Sequence, residues 1–330
     1  MSSSSPVRPL IPAATAPQIK AILGGMRVVA ETGGPPSDAD LWALAAADQY
    51  IFGSDPPLDV GALPQVTPPT LAELLKGTKL AEDVVKFMTV MAFIDGALDK
   101  SKIARVFEFA KALGIGARFL DEISEATAGQ MQVALADMTR ANMESITGKP
   151  WAGDVNKWLM PYDGGKAEPK LVARFEALGR LGPDTFGLAY YTHFKQNKYP
   201  FPGEAKGLNA AFAISHDSAH VLSGYDTTPR GEILVSTFTA AMHPKNPMAG
   251  HILPVIFTWQ LNMQLNEAAG EVKNALDPKE FWRAWAAGAS FKTDTFAPGW
   301  NFWTYVTAPL AALRTSWGIP PEGLDSKQSG

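Results

Sequence analysis

The chain contains no cysteine among its 330 residues. This absence excludes disulfide bonds, thiolate zinc sites and thiol catalysis, and it is typical of a reducing compartment. Any metal would therefore have to be bound through nitrogen and oxygen atoms. Basic clusters are also missing, since 29 Lys and Arg are spread along the chain against 33 Asp and Glu, for a formal net charge of −4. We expect no nucleic-acid partner, because such a partner requires a basic surface.

Long apolar runs are scarce. The longest, residues 252–265, is interrupted by Pro254 and by amide side chains, and it is shorter than the roughly 20 apolar residues of a membrane-spanning helix. We predict a cytoplasmic protein without a spanning segment, with peripheral contact on the inner membrane face left open. Residues 1–17 and 323–330 are predicted tails, the first without the apolar segment of a secretory signal.

Helix signals dominate the rest of the chain, which predicts an all-α fold of two helical modules, 18–150 and 151–322. Ser37 is suited to cap one helix, and Asp99 and Gly114 are suited to begin and end another. The predicted helices cover 18–31, 38–52, 80–98, a stretch ending at 113, 131–147, 169–181, 184–196, 204–223, 229–242, 248–265, a stretch from 277 and 304–317.

Three potential metal ligands, His216, Asp217 and His220, lie within one short stretch. Because an α-helix turns by about 100° per residue, His216 and His220 lie about 40° apart around the axis, and Asp217 lies about 60° from His220. The three side chains therefore share one stripe of a single helix. The alternatives are a solvent-exposed His-Asp pair and a polar cluster without metal.

Glu232 is predicted to join these side chains from the following helix. Gly224 is suited to end the first helix, and Thr228-Pro229 is suited to start the second, so that Glu232 falls in its first turn. Such a hairpin returns Glu232 to the upstream stripe.

The four candidate ligands, His216, Asp217, His220 and Glu232, suit one divalent metal ion. Two neutral imidazoles and two carboxylates match zinc or iron better than calcium, which takes oxygen ligands only. Asp217 and Glu232 are also the predicted catalytic residues. Further polar residues around this hairpin that could lie in an outer layer of the site are Tyr225, Arg230 and His251.

The same residues resemble the coenzyme Q biosynthesis protein 4 family, here called Coq-four. Its hallmark is His-Asp-x-x-His followed, after eleven residues, by Glu, which His216 to Glu232 reproduce. Weaker similarity upstream at 187–190 and downstream at 282–288 and 309–320 extends the resemblance over about residues 169–320.

This resemblance implies a role in ubiquinone-type synthesis. It implies a protein that binds a polyprenylated aromatic lipid at the metal, with oxidative decarboxylation of the ring as the expected enzyme activity. It also implies a homodimer, peripheral membrane contact and other quinone-biosynthesis proteins as partners. The aromatic residues Trp300, Phe302, Trp303 and Tyr305 could form that membrane contact, or they could seal a core or a dimer interface.

Two other functions remain open. The metal could order a lipid-binding scaffold that has no catalysis of its own. A zinc hydrolase of the His-Glu-x-x-His type also places two ligands four residues apart, but Asp217 is one methylene shorter than the Glu of that motif.

The N-terminal module resembles the TerB-like helical domains linked to tellurite resistance. The resemblance is carried by residues 91–99, which contain an Asp-Gly turn at Asp95-Gly96 between two helices. Lys100 and Lys102 follow where such domains usually have another acid. We therefore expect a structural turn here and not a second metal site around Asp95 and Asp99.

Overall fold

The computed structural model describes residues 14–162, 167–263 and 272–325. Over these residues the predicted all-α fold is confirmed, because the regular structure consists of helices and contains no β-strand. An isolated antiparallel bridge joins Thr185 to Pro309. No helix in this part of the chain is both long and apolar enough to cross a membrane. Of the predicted tails, residues 1–13 and 326–330 lie outside the described residues.

The α-helices are numbered in chain order. They are α1 (Ala16–Ala30), α2 (Asp38–Ala47), α3 (Pro68–Leu75), α4 (Ala81–Met91), α5 (Lys100–Leu113), α6 (Arg118–Thr127), α7 (Met131–Thr147), α8 (Pro169–Ala177), α9 (Phe186–Gln196), α10 (Ala210–Ser223), α11 (Pro229–Met242), α12 (Leu253–Val255), α13 (Phe281–Ser290) and α14 (Leu310–Trp317). Short 3₁₀ turns are Val60–Ala62, Leu178–Arg180 and Phe302–Thr304, and π-helical turns are Asp48–Phe52, Pro247–Ile252 and Ile256–Gln260.

Contacts within the chain divide it into two compact units. Unit 1 contains the residues up to Leu135 together with Leu253–Ala286, and unit 2 contains Ala136–Ile252 together with the residues from Ala287 onward. The predicted modules, 18–150 and 151–322, meet at residue 150, and that division stays a prediction. Leu253–Ala286 is the main segment that the two divisions assign differently.

In unit 1, the turn between α4 and α5 explains the Asp-Gly sequence. Gly96 has a φ of 69°, a left-handed conformation that favours glycine. The Asp99 carboxylate caps α5 by accepting hydrogen bonds from the backbone N–H groups of Ser101 and Lys102. The buried Lys102 ammonium donates to Asp95 Oδ2 at 2.8 Å and so supplies a positive charge to this carboxylate. The geometry therefore indicates a structural turn at this point.

Several predicted helices differ from the observed ones: the helix predicted at 80–98 ends at Met91, and the helix predicted at 304–317 begins only at Leu310. The helix predicted at 204–223 begins only at Ala210, capped by Asn209, because Gly203 and Lys206 adopt left-handed φ angles that interrupt a helix. The helix predicted at 248–265 is instead a π-turn, a short α-helix and a second π-turn. Pro254 lacks an N–H and clashes with the preceding turn, which favours wider turns around it. Residues 264 and 265 lie outside the described part of the chain.

The core of unit 2 is aromatic and fixes α9 against α10. Tyr190 of α9 is fully buried, lies 4.6 Å from the Phe302 ring, and donates a hydrogen bond to the Ala213 carbonyl of α10 at 3.1 Å. From the sequence, the aromatic residues at 300–305 are candidates for a membrane, core or dimer contact. Of these, Phe302 lies in this core, and Trp303 stacks under the Arg174 guanidinium at 3.6 Å. Phe302 therefore seals a core, as one of the alternatives predicts, whereas a membrane contact by the half-buried Trp300, Trp303 and Tyr305 stays a prediction.

Candidate metal centre

The helix hairpin that carries the site forms as its end signals predict. Gly224 ends α10 with a φ of 84°, which glycine adopts without steric cost. The Thr228 side chain caps α11 by accepting from the Gly231 N–H, and Pro229 occupies the first turn. Glu232 consequently lies in the first turn of α11, next to the end of α10.

Gly231 allows the connection between these helices to be tight. A Cβ atom at this position would overlap the backbone carbonyl and the carboxylate of Asp226. The Asp226 carboxylate in turn accepts from the Thr228 N–H at 3.0 Å. The loop therefore depends on a residue without a side chain directly before Glu232.

Three of the four predicted ligands converge. His216 Nε2 lies 3.1 Å from His220 Nε2 and 3.2 Å from Glu232 Oε2, and His220 Nε2 lies 3.4 Å from Glu232 Oε1. Donor atoms around a tetrahedral ion at about 2.0–2.1 Å lie about 3.3–3.4 Å apart, and those on one octahedral face lie about 3 Å apart. We call these three residues the triad, and its spacing could hold a metal ion.

The tautomer of His220 is fixed by its second nitrogen. His220 Nδ1 lies 3.0 Å from the Tyr225 carbonyl oxygen, which can only accept, so Nδ1 carries the proton. A neutral His220 therefore presents the Nε2 lone pair to His216 and Glu232. Metal-binding histidines are commonly oriented in this way by a carbonyl or carboxylate behind the ring.

The negative charge of Glu232 and positive charge on the histidines of the triad stabilise each other. Burial lowers the pKa of His220, but the charge and hydrogen bond of Glu232, with a smaller effect of Asp217, outweigh it and raise that pKa to about 9. Burial raises the pKa of Glu232, whereas His220 and His216 pull it well below its usual range. The triad thus holds a buried carboxylate that attracts positive charge, either a proton on His220 or a cation.

Asp217, the fourth predicted ligand, points elsewhere. Its Oδ1 lies 2.9 Å from His193 Nε2, and Asp217 is not among the residues whose ligand atoms converge. Asp217 is buried, and the His193 ring stacks on the His220 ring with centroids 5.4 Å apart. Asp217 and His193 therefore lie beside the triad, as a hydrogen-bonded pair against its most buried ligand.

Sequence reasoning missed His193. It lies on α9, 23 residues before His216, so no short motif connects the two. A signal was present, because all five histidines of the chain fall between residues 193 and 251. Such clustering indicates a shared interior, but the pairing with Asp217 depends on how α9 packs on α10.

The three outer candidates have separate contacts. Tyr225 acts on the triad through its backbone carbonyl, and the Arg230 guanidinium lies 3.7 Å from the Asp325 carboxylate. His251 contacts Ser145 Oγ at 2.8 Å, and burial, with the nearby charges of His243 and His216, lowers its pKa to about 3. Among these contacts, that of the Tyr225 carbonyl is made directly with a triad side chain, His220.

Comparison with solved structures gives distant matches. No family model matches the chain, and no curated protein matches it. A solved structure from Nostoc punctiforme, of a proposed ubiquinone biosynthesis protein, is similar over 72% of this chain and 97% of that chain, at 18% identity and a TM-score of 0.30. The described chain is thus an all-helical protein with a His-His-Glu triad, and its similarity to that protein is remote.

Proposed function

We propose that the triad binds one divalent metal, iron or zinc, and that the protein acts in ubiquinone-type synthesis on a polyprenylated aromatic lipid. The observation that carries the proposal is the convergence of two imidazoles and one carboxylate within 3.1–3.4 Å. Two histidines and one carboxylate with open positions are the ligand set of non-haem iron oxygenases. Iron in this site would supply dioxygen chemistry, and zinc would supply Lewis-acid polarisation.

The accessible side of the triad favours an aromatic ligand. The His216 and Glu232 side chains are 14% and 15% exposed, whereas that of His220 is 1% exposed, so a ligand would approach past His216 and Glu232. On that side the half-buried Phe212 ring stacks on the His216 ring at 4.8 Å, and the Trp158 ring contacts Phe212 edge-on. These rings offer an apolar surface for the ring of a substrate.

The residues of the site have distinct tasks in this proposal. His216, His220 and Glu232 bind the metal, and the Tyr225 carbonyl orients His220. Asp217 is held by His193 beside the metal ligands and has an outer, orienting role, not the ligand role predicted for it. The proposed activity is oxidative decarboxylation of the aromatic ring, with a homodimer, other quinone-biosynthesis proteins and peripheral contact with the inner membrane face as proposed partners.

The prenyl chain would require an apolar surface outside the triad. A groove of about 630 Å³ lies between the start of α8 and residues 203–205, and it is lined mainly by apolar atoms. None of its lining residues belongs to the triad. This groove is the surface that we propose for contact with the prenyl chain.

The purified chain should contain a stoichiometric metal ion, and with iron it should remove the ring carboxyl of a prenylated aromatic acid while consuming dioxygen. Elemental analysis, an oxygen electrode and mass spectrometry of the product check this. Metal and co-purified lipid without turnover would favour the scaffold, and ester hydrolysis by the zinc form would favour the hydrolase. A chain that binds no zinc, iron or manganese would refute the proposal.

Metal binding at pH 7 is expected to release about one proton per ion. The pKa of His220 is about 9 in the metal-free chain, so His220 is protonated at pH 7, and a ligand must be neutral. Metal affinity should therefore rise by about tenfold per pH unit up to about pH 9 and then level off. Calorimetry of zinc binding in two buffers of different ionisation enthalpy measures the release.

The control is the same titration above pH 9, where His220 is already neutral and the release should fall towards zero. Equal heats in both buffers at pH 7 would show that His220 carries no extra proton there.

A further inference from the structure

The carboxylate of Asp217 lies beside the triad, where it would be expected to bind the metal, but it is hydrogen-bonded to His193 instead. Asp217 follows His216 directly in the sequence, and its charge contributes to the raised pKa of His220. Its Oδ1 accepts from His193 Nε2, while its buried Oδ2 has no hydrogen-bond partner within the described residues. A buried carboxylate oxygen without a partner costs about 1–3 kcal/mol, and a neighbouring cation would remove that cost.

To bind the metal, the Asp217 carboxylate would have to move towards the triad, and the packing of His193 opposes this movement. Its ring packs flat against His220, with an interplanar angle of 28°, and its edge contacts the rings of Phe194 and Tyr199. The ring is therefore held on three sides, and its Nε2–H is directed at Asp217. A donor fixed in this way keeps its acceptor in place, because moving the carboxylate would break a charge-assisted hydrogen bond.

We propose that His193 sets the number of protein ligands at the metal: by holding Asp217, it keeps the site at three ligands with open positions. Without the hydrogen bond, Asp217 becomes a fourth protein ligand, which fills the open position of a four-coordinate zinc ion or one of the open positions of a six-coordinate ion. Four protein ligands are typical of structural metal sites, whereas three with an open position are typical of catalytic ones. This inference rests on the proposed metal site and adds the residue that keeps it open to a substrate.

Two substitutions separate the hydrogen bond from the stacking. His193→Phe keeps a flat ring against His220 but removes the donor to Asp217. His193→Gln loses the aromatic ring but keeps an N–H group close to the position of Nε2. Asp217→Asn, alone and combined with His193→Phe, removes the charge that would bind the metal.

The test uses the full chain loaded with Mn²⁺, whose effect on water-proton relaxation reports metal-bound water, together with Mn²⁺ and Zn²⁺ dissociation constants. We expect His193→Phe to lose about one metal-bound water on Mn²⁺ and to bind both ions about tenfold more tightly, an effect as large as those that groups beside metal ligands have on affinity. His193→Gln should behave like the wild type. The gain should disappear in His193→Phe/Asp217→Asn.

Unchanged hydration and affinity in His193→Phe, or the same change in the double variant, would overturn the inference. If His193→Phe does not fold, Asp217→Asn alone decides. It should leave the metal-bound water of Mn²⁺ as in the wild type, with at most the loss of affinity typical of a group beside metal ligands. A gain of metal-bound water would show that Asp217 already binds the metal. A wild-type chain that binds neither of these ions nor iron would instead overturn the proposed function, which is a separate result.

Discussion

Glu232→Gln is expected to lower metal affinity by more than about 100-fold, beyond the effect of losing a group outside the ligand shell. Glu232 is the one carboxylate of the triad, and its two oxygens face His216 and His220 at 3.2 and 3.4 Å. A glutamine keeps the shape but removes the negative charge, which leaves a divalent cation with neutral nitrogen ligands and a weak amide oxygen. Elemental analysis after gel filtration and a zinc titration measure the loss.

The matched control is Glu176→Gln. Glu176 lies on α8 in the same unit and forms an exposed ion pair with Lys195 at 2.8 Å, so its loss should leave metal binding unchanged. His220→Ala should match Glu232→Gln, because His220 Nε2 faces both other ligands. Full metal content in Glu232→Gln would mean that the ion lies elsewhere, and the triad would lose its assigned role.

Much of this site follows from local rules that a sequence shows directly. Gly224 and Thr228-Pro229 mark helix ends through positional preferences that depend on a few neighbouring atoms. A helix repeat of 3.6 residues then places His216 and His220 on one face. Once both ends of the hairpin are fixed, Glu232 has little choice of position, which is why three ligands could be predicted together.

The remaining features depend on contacts that are distant in the sequence. Asp217 lies on nearly the same stripe as His220, so periodicity alone cannot separate a ligand from a neighbour. Its direction is decided by His193, which α9 brings to α10 through aromatic packing around Tyr190. The π-turns around Pro254 have a similar origin, since an apolar run predicts a helix but not how its hydrogen bonds are rearranged.

The sequence predicts that the chain is all-α more completely than it predicts where each helix begins and ends. Caps such as Ser37 and Asp99 lie where the sequence places them, because a capping side chain bonds to backbone only two or three residues away. The start of α10 was missed because helix-forming residues at 204–206 precede Gly207. That glycine approaches the Phe201 carbonyl too closely for any side chain, a constraint that no local pattern shows.

Arg314→Met is expected to destabilise the protein by about 3 kcal/mol, because hydrogen bonds from a charged group contribute about 1.5–3 kcal/mol each. The last carbonyls of a helix have no partner within the helix. Arg314 of α14 supplies two partners for α10, donating to Val221 and Leu222 at 2.8 and 2.9 Å, and it also donates to Pro321. Burial lowers the pKa of Arg314, so the buried cation depends on these carbonyls.

The other end carbonyls of α10 are already bound, which makes Arg314 hard to replace. The Gly224 N–H donates to His220 and the Leu324 N–H donates to Ser223, at 2.7 and 2.6 Å. Thermal unfolding of the metal-free chain should therefore show a Tm lower by about 6–12 °C, at about 2–4 °C per kcal/mol for a unit of this size.

Arg314→Lys is the graded variant, since a single ammonium reaches fewer of the three carbonyls, and its Tm should lie between those of the wild type and Arg314→Met. Arg140→Met, which removes a partly exposed ion pair with Asp137, is the matched control and should cost less than about 1 kcal/mol. Equal Tm values for Arg314→Met and Arg140→Met would show that solvent replaces the guanidinium at the end of α10. Because that end also carries His220, a destabilised α10 should bind zinc more weakly, in proportion to the fraction of chains in which the hairpin is formed.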